Sequence, residues 1–155
     1  MYVKMKCLFT INTQEGKTIR FTAVNNCEIE KSIDKLESTA KFRLPLSARL
    51  VSKSKPTSSI QTAKAFNRGD KINIQLAYDD RMKEEFEGFI LNTNFTKPLE
   101  IECSGYEYLL RGTIPTKTFP DTSLKDILNY IVEGIEGITI DSQIPEVAMK
   151  NYVIP

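Results

Sequence analysis

Apolar and polar side chains alternate in several short runs within the first 44 residues. Val3, Met5, Cys7, Phe9 and Ile11 take every second position, the period of a strand with one buried face. Gln14-Glu15-Gly16-Lys17 reads as a turn, and Ile19, Phe21 and Ala23 as one face of a second strand that Asn25-Asn26 breaks. Cys27 and Ile29 begin a third extended run. Ala40, Phe42 and Leu44 form a fourth, closed by Pro45, which cannot continue a ladder.

The pattern then lapses between Leu46 and Arg68. SKSKPTSS is polar and proline-broken, a loop composition, although SSIQTAKAF suits a short helical turn. Alternation returns in GDKINIQLAYDDRMKEEFEGFI, which predicts a β-hairpin from Gly69 to Ile90. Ile72, Ile74, Leu76 and Tyr78 share a face of its first strand. The run from Asp79 to Lys83 makes a turn longer than the tight Asn-Gly type. In the return strand Phe86, Gly88 and Ile90 alternate, while Phe89, Leu91 and Phe95 have the opposite parity, which predicts a bulge or sharp bend near Gly88. Thr96-Lys97-Pro98 turns into a strand through Leu99, Ile101 and Cys103, with Glu100 and Glu102 facing out.

From Ser123 the period changes. Leu124, Ile127, Leu128, Ile131, Val132 and Ile135 fall on a single helical face, and Ser123 with Asp126 makes a capping box. Pro120 and Asp121 mark the entry to this helix, and Ile138-Thr139-Ile140 reads as a short strand after it. The closing IPEVAMKNYVIP holds apolar residues without a finished element, as expected of an excised fragment or a frayed terminus. The fold class expected is therefore mainly β with a C-terminal helix. A bent sheet apolar on both faces at one point favours a small antiparallel β-barrel over residues 1–112, with a helix-containing segment over 113–155 that leads towards a second domain.

Composition narrows the chemistry. Of 155 residues, 41% are hydrophobic and 26% charged, enough to pack a core. The net charge of +1 argues against a chain built as a whole for nucleic acid or acidic lipid. No apolar run approaches a membrane span, and the alternating start is unlike a signal peptide, so a soluble, intracellular origin is the default. The sequence contains no histidine, which removes the Ser-His-Asp and Cys-His pairs and the commonest metal ligand. Cys7, Cys27 and Cys103 lie far apart among strand residues and read as small buried hydrophobes. Neither GxGxxG nor GxxxxGK occurs, and no catalytic, cofactor-binding or metal-ligating set is assigned. An enzyme is not expected.

Charge is unevenly distributed. The 46–68 segment carries Arg49, Lys53, Lys55, Lys64 and Arg68 and no acid, whereas residues 79–107 carry eight acids against Arg81, Lys83 and Lys97. Asp79, Asp80, Glu84, Glu85 and Glu87 are best read as a solvated hairpin tip rather than a carboxylate pair or cation site. Opposite patches on different segments suit head-to-tail association, so Arg49, Lys53, Lys55, Lys64, Arg68, Asp79, Asp80, Glu84 and Glu85 are candidate protein-interface residues. Phe95, Tyr106 and Tyr108 are candidate stacking platforms for single-stranded nucleic acid, but Glu100, Glu102 and Glu107 repel phosphate and favour a packing role for the tyrosines.

The order of IEKSIDKLESTAKFRLP, FNRGDKINIQLAYDD, EEFEGFI, PLEIECSGYEYLLR and TFPDTSLKDILNYI resembles the baseplate hub proteins of bacteriophage tails, the late control gene D family. That family is related to the hub portion of type VI secretion spike proteins. Gly69-Asp70 before an alternating strand, Phe86-Glu87-Gly88-Phe89-Ile90, and Ser123-Leu124 opening a helix carry the likeness, over roughly Cys27 to Ile140. The resemblance implies a structural subunit made in the bacterial cytoplasm and built into the virion tail baseplate. Its expected partners are two further copies in the full-length protein, the tail tube, and the spike or central fibre, with nucleic acid not expected among them. A small-barrel module for single-stranded nucleic acid is the alternative.

Overall fold

A computed structural model describes residues 5–32, 34–35, 37–50, 58–78, 81–112 and 116–154. The chain divides into two compact units, Met1–Tyr108 and Leu109–Pro155.

The first unit is a seven-stranded antiparallel sheet. Its strands are β1 (Met5–Asn12), β2 (Thr18–Phe21), β3 (Asn26–Glu30) and β4 (Thr39–Leu44), followed after a small hairpin by β7 (Lys71–Tyr78), β8 (Arg81–Asn94) and β9 (Leu99–Ser104). They lie in the order β2-β1-β7-β8-β9-β4-β3. The hairpin between is β5 (Ser47–Leu50) paired with β6 (Ser58–Gln61), and a 3-10 turn at Thr62–Lys64 follows it. The 46–68 segment is thus not a structureless loop. Thr62 ties the hairpin back, its hydroxyl donating to the Pro45 carbonyl and its N–H to that of Leu46.

The sheet is strongly curved. In strand order β1 and β4 stand four steps apart, about 19 Å in a flat sheet at ~4.8 Å per step. Yet the rings of Phe9 on β1 and Phe42 on β4 have centroids 5.0 Å apart. Phe21 on β2 stacks on Phe9 at 5.0 Å and lies 6.0 Å from Phe42, so the edges curl towards each other around one core. No ladder closes the ring among the described residues. The edge strands β2 and β3 are instead successive in the chain, with Thr22–Asn25 between them. The expected barrel is therefore, in hydrogen-bonding terms, an open curled sheet, because one short bent run serves β1 with its first half and β4 with its second.

Five of the strands contribute alternate side chains to one buried cluster. Phe9 and Ile11, Ile72 and Ile74, Phe86 and Ile90, Leu99 and Ile101, and Ala40, Phe42 and Leu44 are buried together. Two bulges keep β8 in step. Ile74 pairs with Phe86 but Gln75 with Glu84, which makes Glu85 the extra residue; Ile90 pairs with Cys103 but Asn92 with Glu102, which makes Leu91 the second. The irregularity expected near Gly88 is thus present as two bulges that flank it. Gly88 answers a different need, because a Cβ there would overlap the Ser104 carbonyl oxygen and lie 2.9 Å from the Gly105 Cα. The hairpin turn is also tighter than expected: Tyr78 pairs with Arg81, leaving only Asp79 and Asp80 between them.

Asp70 anchors the opposite end of the unit. It is fully buried, and its carboxylate accepts from the backbone N–H of Gln14 at 3.0 Å and of Asn67 at 2.8 Å. Two segments remote in sequence are thereby joined at the start of β7. Gly69 beside it has φ of +89°, a left-handed conformation that glycine adopts without penalty.

The second unit contains β10 (Lys117–Ser123), α1 (Leu124–Val132) and β11 (Ala148–Ile154), with β10 and β11 antiparallel. The sequence does not announce these strands. The run expected to be unfinished pairs from Lys117↔Ile154 to Ser123↔Ala148, and Pro120 is tolerated because both strands of a two-stranded ladder are edges. The expected capping box is present: Ser123 Oγ accepts from Asp126 N–H, and the Asp126 side chain accepts from Ser123 N–H. The helix stops at Val132, short of Ile135, because Gly134 follows at φ +80°. Ile138–Ile140 forms no strand; Gly137, also left-handed, directs it through a turn.

Candidate interaction surface

The inward faces of four strands lead out of the core at one end. Along β1 they run from Phe9 through half-buried Cys7 to Met5, and along β7 from Ile74 through Leu76 to Tyr78. Along β3 they run from Cys27 through Ile29 to Lys31, just past the strand. On β8 the extra residue Glu85 resets the parity, so the positions facing Leu76 and Tyr78 are Lys83 and Arg81. The interior thus changes from buried aromatic, through half-buried aliphatic, to exposed aromatic and cationic.

A cleft of about 540 Å³ occupies this end. Ile29, Leu76 and Tyr78 line it, and Lys31, Arg81 and Lys83 supply positive charge beside Glu85, the one acid among its described lining residues. Lys83 and Glu85 pair at 3.2 Å. Among the described residues no ion pair engages Lys31 or Arg81. Tyr78 is 68% exposed, and its cross-strand neighbour Met5 is 71% exposed. Met82 adds a third exposed apolar side chain on the other face of the hairpin. Aromatic, methionine and arginine side chains together are the composition that protein interfaces favour.

The interface residues expected from sequence do not form one surface. Arg49 lies in β5, opposite Ser59, and its side chain is outside what the structure describes. Lys53, Lys55, Asp79 and Asp80 are outside the described residues altogether. Lys64 is exposed at the end of its 3-10 turn, and Arg68 is exposed with its guanidinium 6.0 Å from the Tyr108 ring centroid. Glu84 accepts from the Asn73 amide on the outer face of the sheet at 2.6 Å, whereas Glu85 lines the cleft. Sequence reasoning missed Ile29, Lys31, Leu76, Tyr78, Arg81 and Lys83 as a group. Only the bulge places Lys83 and Arg81 inward, and its sole sequence trace is the doubled Glu84-Glu85 that interrupts the alternation.

Much of the acidity read from the sequence is neutralised locally. Glu100 takes Arg43 at 2.8 Å and Lys41 at 3.6 Å, and Glu102 takes Lys41 at 3.0 Å. The Arg43 guanidinium in particular holds the Glu100 carboxyl below its usual range. Lys71 reaches Glu87 at 2.9 Å, and the Tyr106 hydroxyl donates to the same carboxylate at 3.0 Å. Lys71 lowers the Glu87 pKa, and Tyr106 and Glu87 together raise that of Lys71. The candidate stacking tyrosines are occupied: Phe89 stacks on Tyr108 at 5.3 Å and meets Tyr106 edge-on at 5.7 Å. Phe95, just past the end of β8, is 75% exposed and apart from that cluster.

The three cysteines, distant in sequence, all face the core. Cys103 is buried, and Cys7 and Cys27 pack against the same cluster. Burial pushes all three thiols up, Cys27 to about 11 with a further push from neighbouring Cys7. Thiols so placed stay protonated at neutral pH and are poor nucleophiles. Among the described residues no group of three or more acidic or sulfur ligands is arranged to hold a metal ion, and no helix is long and apolar enough to cross a membrane. In comparisons with known proteins, no family model and no curated protein matches the chain.

Proposed function

We propose that this chain is a structural, protein-binding subunit of a phage-type tail baseplate hub, acting through surface contacts that join a tail tube to a spike or central fibre. The observation that carries this reading is the end of the curled sheet. There Tyr78 and Met5 stand exposed beside Lys31 and Arg81, which no ion pair engages among the described residues, an arrangement suited to gripping another protein. The sequence resemblance across most of the chain supports the same reading. A role in binding single-stranded nucleic acid has less support, since Tyr106 and Tyr108 are already stacked on Phe89.

The decisive test is sedimentation equilibrium of the natural reading frame that contains this chain. A trimer is the expected mass, and a stable monomer at micromolar concentration would overturn the hub reading. In the trimer, alanine at Lys53, Lys55 and Lys64 should weaken assembly without lowering the melting temperature. Unchanged assembly would remove the 46–68 segment from the interface.

A further inference from the structure

We infer that the cleft at the hairpin end of the curled sheet is a docking site for an extended acidic peptide, which adds as a strand to the free edge of β3. The inference does not depend on the hub reading. It rests on three observations at one place.

The first is an available edge. Among the described residues β3 has one ladder, to β4, and its other side carries no strand partner. An unpaired edge offers backbone donors and acceptors at strand spacing, which an incoming extended segment satisfies. The second is position. Ile29 and Lys31, at the end of that edge, line the same cleft as Leu76, Tyr78 and Arg81, so a strand laid along β3 turns alternate side chains into it. The third is charge. Among the described residues that line the cleft, Lys31, Arg81 and Lys83 face one acid, Glu85, which Lys83 already engages. Two cations beside an aliphatic lining complement a ligand that is anionic and apolar on one face.

These features fix a pattern rather than a bare preference for acid. Side chains of an added strand alternate between faces. Those entering the cleft meet Ile29 and then, two residues along, Lys31, so an apolar and an acidic residue two positions apart are favoured there. Those on the other face meet exposed Glu28, which repels acids, and Glu30, which Lys35 already engages, so further acids gain nothing there. The best peptide therefore carries aspartate and leucine on one parity and serine or threonine on the other.

The test is fluorescence anisotropy with a labelled heptapeptide of that pattern, its parity-scrambled isomer of equal composition, a copy N-methylated at alternate backbone nitrogens, and a thymidine oligonucleotide of equal charge. The patterned peptide should bind in low salt and weaken several-fold between about 50 and about 300 mM salt. The scrambled and N-methylated copies should bind at least about tenfold more weakly. Lys31→Glu with Arg81→Glu should cost about tenfold or more, with an unchanged circular dichroism spectrum because both side chains are exposed. No binding of the patterned peptide, equal binding of the scrambled isomer, or indifference to the charge reversal would each overturn the inference. Stronger binding of the oligonucleotide would overturn it too, in favour of a nucleic-acid site.

Discussion

The two units of this chain solve the same problem with very different means. In the first, thirteen buried residues form one cluster among the described residues, with Phe9, Phe42 and Phe86 essentially without exposure. In the second, Phe119, Ile127 and Ile154 are the buried cluster, supported by Tyr130, Ile131 and Met149, and Tyr152 and Val153 stay exposed. A sheet that curls on itself buries one face of nearly every strand. A two-stranded ladder with a nine-residue helix cannot, and such a pair is marginal without added support. The first unit should therefore be held by its core. The second must lean on local devices: the capping box, the ladder, and the Phe119–Tyr130 edge contact at 5.5 Å with Lys117 over both rings.

The sharpest way to break that contrast is to open the larger core. Phe42 touches the rings of both Phe9 and Phe21, so it links β4 to β1 and β2 across the curl. Phe42→Ala should cost about 3–5 kcal/mol, measured by denaturant unfolding and by loss of hydrogen-exchange protection in β1, β4 and β9. A cost under about 1 kcal/mol would mean that the curl is held by its ladders and not by the shared aromatic core.

That core was legible in the sequence because alternation and burial coincide. Phe9, Phe42, Ile72, Ile74, Ile101 and Cys103 all fall on the parity expected of them. The capped helix was legible for the same reason, its apolar period and its Ser123-Asp126 signal agreeing. Four strands were not. β5 and β6 are four residues each in a serine-rich stretch, too short to display a period. β10 contains Pro120, and β11 contains Asn151 at φ +52°, so local preference argues against strands that pairing with each other nonetheless stabilises. The candidate cleft was illegible for a subtler reason. Whether Lys83 and Arg81 point inward depends on a single extra residue, Glu85, and a one-residue shift exchanges the two faces of a strand.

The second unit gives the next test. Ser123 caps α1 reciprocally with Asp126, whose carboxyl the Ser123 hydroxyl and N–H hold below its usual range. Ser123→Ala should cost about 1 kcal/mol. In a unit with so small a core that is a large share of what holds the helix. Amides of Leu124–Val132 should then exchange several-fold faster, while those of β7 and β8 keep their protection. Equal loss in both units would show one cooperative block and dissolve the contrast.

The smallest effect belongs to the surface of the larger unit. Glu87 receives Lys71 and Tyr106, and the Lys71 ammonium holds its carboxyl below the ordinary value of 4.5 in the folded chain. A carboxylate whose folded pKa is depressed adds stability that is fully present above the unfolded value and lost as pH falls through the folded one. The window therefore lies below about pH 4.5. With the Glu87 side chain 33% exposed and that of Lys71 41% exposed, the pair is worth less than about 1 kcal/mol after solvent screening. Glu87→Gln should leave stability at pH 7 lower by at most that amount and should flatten the loss as pH falls below about 4.5. A larger drop at pH 7 would have a specific meaning. It would make the Lys71–Glu87–Tyr106 cluster, with Phe89 stacked beside it, a second support on the outer face of the sheet, and the first unit would then rest on both of its faces rather than on its core alone.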